Sequence, residues 1–249
     1  MTALDSGSLV RPAPVRNRTL NVVRLQFVNR QTFIWVPALI LGGAWVLTML
    51  IALIVRGAGG GPGMDVQASG ASQAPLWYFL AVGIQAMTLT FPFSQAMSLT
   101  RREFYIGSLA AAAVSGLGMS LAFVLLGLLE QATDGYGVNG YFAYLGWVWE
   151  AGPFAAGLTY FVSTMLFFII GFWFATIYKR YGTAVLTIVM IGIGLVLVGL
   201  VALATWQQAW PEVWRWIVDT GSLGLALWAV VLGAVLAVGS YFTLRRMPA

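Results

Sequence analysis

Apolar residues fall along this chain in six long runs, at 33–55, 75–98, 104–129, 151–178, 182–204 and 221–243. The 13 basic and 8 acidic residues all lie outside these runs or at their edges. A bilayer core about 30 Å thick is crossed by about 20 apolar residues in a helix. Backbone N–H and C=O groups in lipid must pair within the segment, so each run predicts a helix rather than an isolated strand.

Before the first run, the pattern changes to a mixed one. In "RNRTLNVVRLQFVNRQTF" (16–33), Leu20, Val23, Phe27 and Ile34 fall near one stripe, with Asn21, Arg24 and Arg30 elsewhere. Val22 and Val28 spread the apolar face. The segment predicts a basic amphipathic helix at 16–32 lying on a membrane surface, or a simple basic anchor for topology. Residues 1–15 have no apolar core and read as a disordered tail. Five arginines within residues 1–32, without an apolar stretch of the needed length, speak against a cleavable signal peptide.

Composition agrees with the pattern. Of 249 residues, 60% are hydrophobic and 8% charged, against about 25% charged in soluble domains. The net charge of +5 has no solvated basic face to go with it, which excludes nucleic acid as a partner. The distribution of charge is more informative than its sum. With both termini on one side, that side holds Arg11, Arg16, Arg18, Arg24, Arg30, Arg101, Arg102, Lys179, Arg180, Arg245 and Arg246, and the other only Arg56 and Arg215. Basic residues favour the cytoplasmic face. The expected fold is therefore an all-α membrane protein, a six-helix transmembrane bundle with an N-terminal amphipathic interfacial helix and both termini cytoplasmic. Residues 16–249 form one transmembrane domain in a bacterial cytoplasmic (inner) membrane, with the lipid bilayer as solvent.

Three connections then face outward. "RGAGGGPGMDVQASGASQ" (56–73) is glycine-rich and flexible, without visible chemistry. The 130–150 loop is aromatic and acidic. "TWQQAWPEVWRWIVDT" carries Trp206, Trp210 and Trp214 on one helical face, together with Pro211 and Trp216. These tryptophans suit an interfacial aromatic belt, or a surface for substrate exit or a partner.

Most catalytic chemistry is missing. Without cysteine or histidine, the chain has no thiol nucleophile, imidazole base or imidazole metal ligand. It has no G-x-S-x-G elbow and no acidic pair placed to hold a metal. No ionisable residue sits mid-span, which counts against a proton-coupled transporter; sodium coupling through backbone carbonyls stays open. The P-loop needs Gly-Lys-Ser/Thr, and the only lysine, Lys179, stands in "IYKRYG". The chain is not expected to be an enzyme, and ATP-driven transport would need a second chain to hydrolyse ATP.

One short stretch concentrates charge between two apolar runs: "SLTRREFYIGS" (98–108). Thr100 and Glu103 fit a capping box, which satisfies free N–H groups at a helix start reciprocally, so a helix is expected from Arg101 into the third run. Arg101 and Arg102 then either anchor the cytoplasmic side or pair, through their planar forks, with carboxylates of a partner. The six runs, the amphipathic helix before the first and this stretch between the second and third together resemble the permeases of ABC type 2 exporters (type V fold). That resemblance implies that Thr100, Arg101, Arg102, Glu103 and Phe104 form a coupling helix inserting into an ABC ATPase subunit. It implies an interrupted external hairpin at 205–219, broken at Pro211, and a second permease copy or related permease. ATP and Mg would reside in the ATPase, with no cofactor or metal in this chain. The expected function is export of an apolar or amphipathic substrate such as a drug, peptide or lipid-like molecule; the alternative is an ion-coupled secondary carrier, or a non-catalytic membrane component, working without an ATPase.

Further features keep two readings each. Gly107, Ala111 and Ser115, beside Ser108, Ala112, Gly116 and Ser120, permit close helix contact, within the bundle or at a dimer seam. Pro92 in "QAMTLTFPFSQ" removes a backbone donor and kinks the second span, as a static bend or a hinge, with Gln85, Thr88 and Thr90 available to the freed groups. The aromatic run "YFVSTMLFFIIGFWF" suits an apolar cargo or a lipid-facing surface.

Overall fold

The computed structural model describes residues 22–24, 26–27, 30–59, 65–67 and 69–245. The expected tail at 1–15 and the first part of the amphipathic helix, Leu20 included, lie outside them. The molecule is helical, and among the described residues five helices are long and apolar enough to cross a membrane. These are α1 (Gln31–Gly57), α2 (Gly70–Ala96), α3 (Arg101–Ala132), α5 (Pro153–Trp206) and α6 (Trp210–Arg245). A short helix α4 (Gly146–Trp149) lies between α3 and α5.

Two of the long helices contain a glycine that turns the chain. In α5, Gly182 has φ 83 and ψ 178; in α6, Gly221 has φ 63 and ψ 177. Both are positive-φ conformations that a Cβ would strain, so α5 divides after Tyr181 and α6 after Thr220. Between α5 and α6 the chain turns at Gln208, whose φ is 51. Pro211 does not make this break. It occupies the first turn of α6, where no N–H partner is needed and its fixed φ favours the helix.

Pro92 likewise sits in the first turn of a helical segment, after a π-helical stretch at Ala86–Thr90. There Thr88 donates back to the Ile84 carbonyl at 2.9 Å and Phe91 N–H reaches Ala86 O. The irregular geometry is taken up in the turn before the proline.

The 22–27 segment also departs from the expected stripe. Val22 and Gln26 are the buried positions, while Ile34 is exposed. Gln26 donates from Nε2 to Ser108 Oγ at 3.0 Å, so a buried polar pair turns this face inward. The small residues of α3 pack within the chain: Ser115 donates to the Phe33 carbonyl, Ser120 to Gly157 O at 2.6 Å, and Gly116 faces Thr164. In "YFVSTMLFFIIGFWF", Phe168 and Phe172 face neither cargo nor lipid; both are core residues. Helices α2 and α5 approach each other closely. A Cβ on Gly83 would lie 2.2 Å from Phe168 O, and one on Gly171 2.0 Å from Leu80 O.

By contrast, the arm of α5 beyond Gly182 is exposed along almost its whole length. Gly192, Gly194 and Gly199 there have nothing within 4 Å of an added Cβ.

Candidate functional site

The turn joining α2 to α3 carries the charged stretch. Ser98 adopts φ 56, and its N–H and that of Leu99 close on Gln95 O (3.0 Å) and Ser94 O (3.2 Å). Thr100 is extended, with φ −73 and ψ 152. Its Oγ1 accepts from Glu103 N–H at 3.2 Å, while Glu103 Oε2 accepts from Thr100 N–H at 2.9 Å and from Thr100 Oγ1 at 2.8 Å. Both halves of a capping box are thus present, and they fix where α3 begins. Phe104 is fully buried, its ring 5.1 Å from Phe91 and 6.3 Å from Phe172. It pins the first turn to the bundle.

The two arginines diverge. Arg101 is half-buried and donates from Nη1 to the Leu244 and Arg245 carbonyls, at 3.5 and 3.3 Å. Arg180, just before the Gly182 break, donates to Thr243 O at 3.3 Å and lies 4.6 Å over the Tyr181 ring. Two guanidinium groups therefore converge on the last carbonyls of α6, where unpaired acceptors and the helix dipole favour a cation. One turn further along α3, Tyr105 donates to Ala237 O at 2.7 Å and lies 2.8 Å from Ser240 Oγ. Arg102 is exposed.

Thr100, Arg101, Glu103 and Phe104 are therefore joined in one built turn, and Arg102 stands outward from it. Pro92 lies two helical turns upstream on α2. Trp206 ends the α5 arm and Trp210 and Trp214 lie in the first turns of α6; all three are exposed, Trp206 at 82%. Trp210 Nε1 donates to Thr205 Oγ1 at 3.1 Å. Sequence reasoning missed the role of Arg101 and Arg180 as caps. It depends on where α6 ends in space, which no local pattern encodes.

A second arrangement, also missed, lies at the other end of α3. Glu130 is fully buried, and its Oε2 accepts from the backbone N–H groups of Phe142, Ala143 and Tyr144 at 3.1, 2.9 and 2.7 Å. Its Oε1 has no hydrogen-bond partner among the described residues. The segment it holds turns through left-handed residues, with Asp134 at φ 48, Tyr136 at 57 and Asn139 at 55. Gly140–Tyr141 pairs in parallel with Val66–Gln67, so the glycine-rich connection takes part in this lobe. In the same lobe, Phe123 stacks between Phe142 and Tyr160 at 5.7 and 4.3 Å. Trp149 Nε1 and Tyr160 Oη both donate to Ala143 O, at 2.9 and 2.7 Å. Burial, with a smaller contribution from the Glu130 charge, raises the Tyr136 hydroxyl above the ordinary phenol range. A glutamate ending an apolar run, followed closely by "GYGVNGYF", was the available signal.

Comparison with protein families, curated proteins and solved structures gives no match for this chain.

Proposed function

We propose that this chain is the membrane-spanning permease subunit of an ATP-driven exporter of the ABC type 2 kind, working with a separate ATPase subunit. The supporting observation is the turn at Thr100–Phe104. A capping box starts α3 there, Phe104 buries the first turn, Arg101 ties it to the end of α6, and Arg102 remains exposed beside it. This is a charged turn braced by capping and burial and joined directly to two long apolar helices, as a contact that passes on a partner's movement requires.

The proposed topology has six passes with both termini inside. A straight helix of 54 residues would run about 80 Å, more than twice the hydrocarbon thickness of about 30 Å. The break at Gly182 resolves this by dividing α5 into two spans. The basic residues Arg101, Lys179, Arg180 and Arg245 then share one face. The exposed arm beyond Gly182 supplies the surface for a second permease copy. Two apolar grooves flank α3, one of about 360 Å³ along Phe33, Leu41 and Met119 and one of about 410 Å³ along Val124, Phe154 and Phe161. They favour an apolar or amphipathic substrate.

The test is biochemical. A P-loop ATPase subunit is expected to co-purify with the chain from its native membrane, and the pair to hydrolyse ATP while the chain alone does not. Because Arg101 has an internal role, Arg102→Lys is the cleaner probe of the contact. It keeps the charge but loses the fork, and is expected to weaken ATPase association at unchanged membrane expression. Hydrolysis by the isolated chain, or a chain that transports with no ATPase bound, overturns the proposal.

A further inference from the structure

Glu130 has a problem that its surroundings do not solve. One oxygen is held by three backbone N–H groups, and the other is buried without a donor among the described residues. Among the described residues, the elements packed around this lobe present apolar side chains. α1 contributes Trp45 and Met49, α2 Phe79, α3 Met119 and Phe123, α4 Val148 and Trp149, and α5 Ala156 and Tyr160. The titratable groups that feel the Glu130 charge are Tyr136, Tyr141 and Tyr160; Asp65 and Asp134, also acting on Tyr141, add only negative charge. No cation acts on Glu130 among the described residues. Tyr136 and Trp45 are also partly buried in this lobe, with their rings in edge contact at 5.5 Å.

We propose that Glu130 is a proton-binding site that latches the cap formed by residues 135–149, the cap closing over the carboxyl form and opening as the proton leaves. A proton on Oε1 removes the buried charge. It leaves Oε2 as a carbonyl acceptor, so all three N–H bonds to the cap survive. Loss of that proton to solvent leaves a carboxylate that the three N–H bonds favour but that burial, the larger effect, disfavours, and water reaches it only if the cap lifts. The balance is simple: one proton is exchanged with solution and no other bond is made or broken.

The sign follows from linkage. The closed cap holds the proton more tightly than the open one, in which a hydrated glutamate has its ordinary value of about 4.3. Closure is fully favoured below that value, and the advantage is lost as pH rises through the higher closed-state value.

The chain contains no cysteine, so a single thiol reports on the cap. Ala143 is fully buried and Gln131 exposed. Thiol labelling of Ala143→Cys, divided by that of Gln131→Cys, is measured on full-length chains in nanodiscs from about pH 5 to about pH 8. The ratio is expected to rise with pH by up to about tenfold per unit across the transition, the limit for one proton. In the Glu130→Gln background, neutral at every pH, it is expected to stay low and flat. Hydrogen exchange of the unsubstituted chain supplies a second readout: protection of the 142–144 amides, corrected for intrinsic exchange, is expected to fall over the same range. A flat ratio and constant protection, an equal slope in Glu130→Gln, or a transition that moves when sodium replaces choline would overturn the proton latch. None of these measurements involves an ATPase, so they stand or fall independently of the exporter proposal.

Discussion

The close approach of α2 and α5 makes the most demanding statement about stability. Replacing glycine by alanine within a helix ordinarily stabilises it by about 1 kcal/mol. At Gly83 the new methyl would meet Phe168 O at 2.2 Å and Phe172 N at 2.8 Å; at Gly171 it would meet Leu80 O at 2.0 Å and Leu80 C at 2.8 Å. The obstructing atoms are helix backbone, which cannot rotate away, so the helices must separate by on the order of 1 Å to restore ordinary contact near 3.5 Å. A gap of that size forfeits about a quarter to a half of the dispersion energy between facing atoms. Phe168 and Phe172, both buried in this seam, would each lose about 1–2 kcal/mol on that scale. Less the propensity gain of about 1 kcal/mol, either substitution is expected to cost about 1–3 kcal/mol, the range of ordinary overpacking.

The double variant should cost less than the sum of the two, because a separation made for one methyl partly accommodates the other. The assay is reversible unfolding in mixed micelles, followed by the fluorescence of the 11 tryptophans. Gly194→Ala serves as the control, since its Cβ meets nothing within 4 Å. If Gly83→Ala and Gly171→Ala match the wild-type protein or exceed it, the packing argument is wrong.

Two other predictions are simpler. Single cysteines at Ala3, Ser69, Gln131 and Gln208 should report six passes, with Ala3 labelled only from the cytoplasmic side and the other three only from outside; external labelling of Ala3 refutes the topology. Tyr105→Phe removes a buried hydroxyl that contacts Ala237 O and Ser240 Oγ. It should destabilise the protein by about 1–2 kcal/mol, and an unchanged unfolding midpoint would show that the hydroxyl is not needed.

What was legible in the sequence follows from how local each feature is. The apolar runs predict the long helices because length and hydropathy are properties of one segment. The Thr100–Glu103 cap was legible because its partners stand three residues apart. Pro211 misled because proline signals both a helix break and a helix start, and here the break belongs to Gln208 instead. The close seam was hidden for a different reason. Gly83 and Gly171 stand 88 residues apart, each amid large apolar neighbours, whereas the conspicuous small-residue row on α3 makes looser contacts. Glu130 was counted only as one outward acidic charge, because its burial depends on a loop folding back over it.

The two sites lie at opposite ends of a single helix, and α3 is held throughout its length by polar contacts to other elements. Near its start, Arg101 and Tyr105 bind carbonyls of α6. Further along, Ser108 accepts from Gln26, Ser115 donates to the Phe33 carbonyl and Ser120 to Gly157 O. At its end, Glu130 holds the 142–144 backbone. In an apolar bundle such contacts fix rotation and height in a way that dispersion alone does not, since sliding would strand buried polar atoms. A helix of 32 residues spans about 48 Å, enough to cross the membrane and emerge on both sides. Under the exporter proposal, a push on the Thr100–Phe104 turn would therefore move α3 as a unit with the parts of α6 and the N-terminal segment bound to it. If the proton latch holds, the cap over Glu130 is the attachment among those named here whose strength depends on a proton, so it is where that movement would be released or resisted.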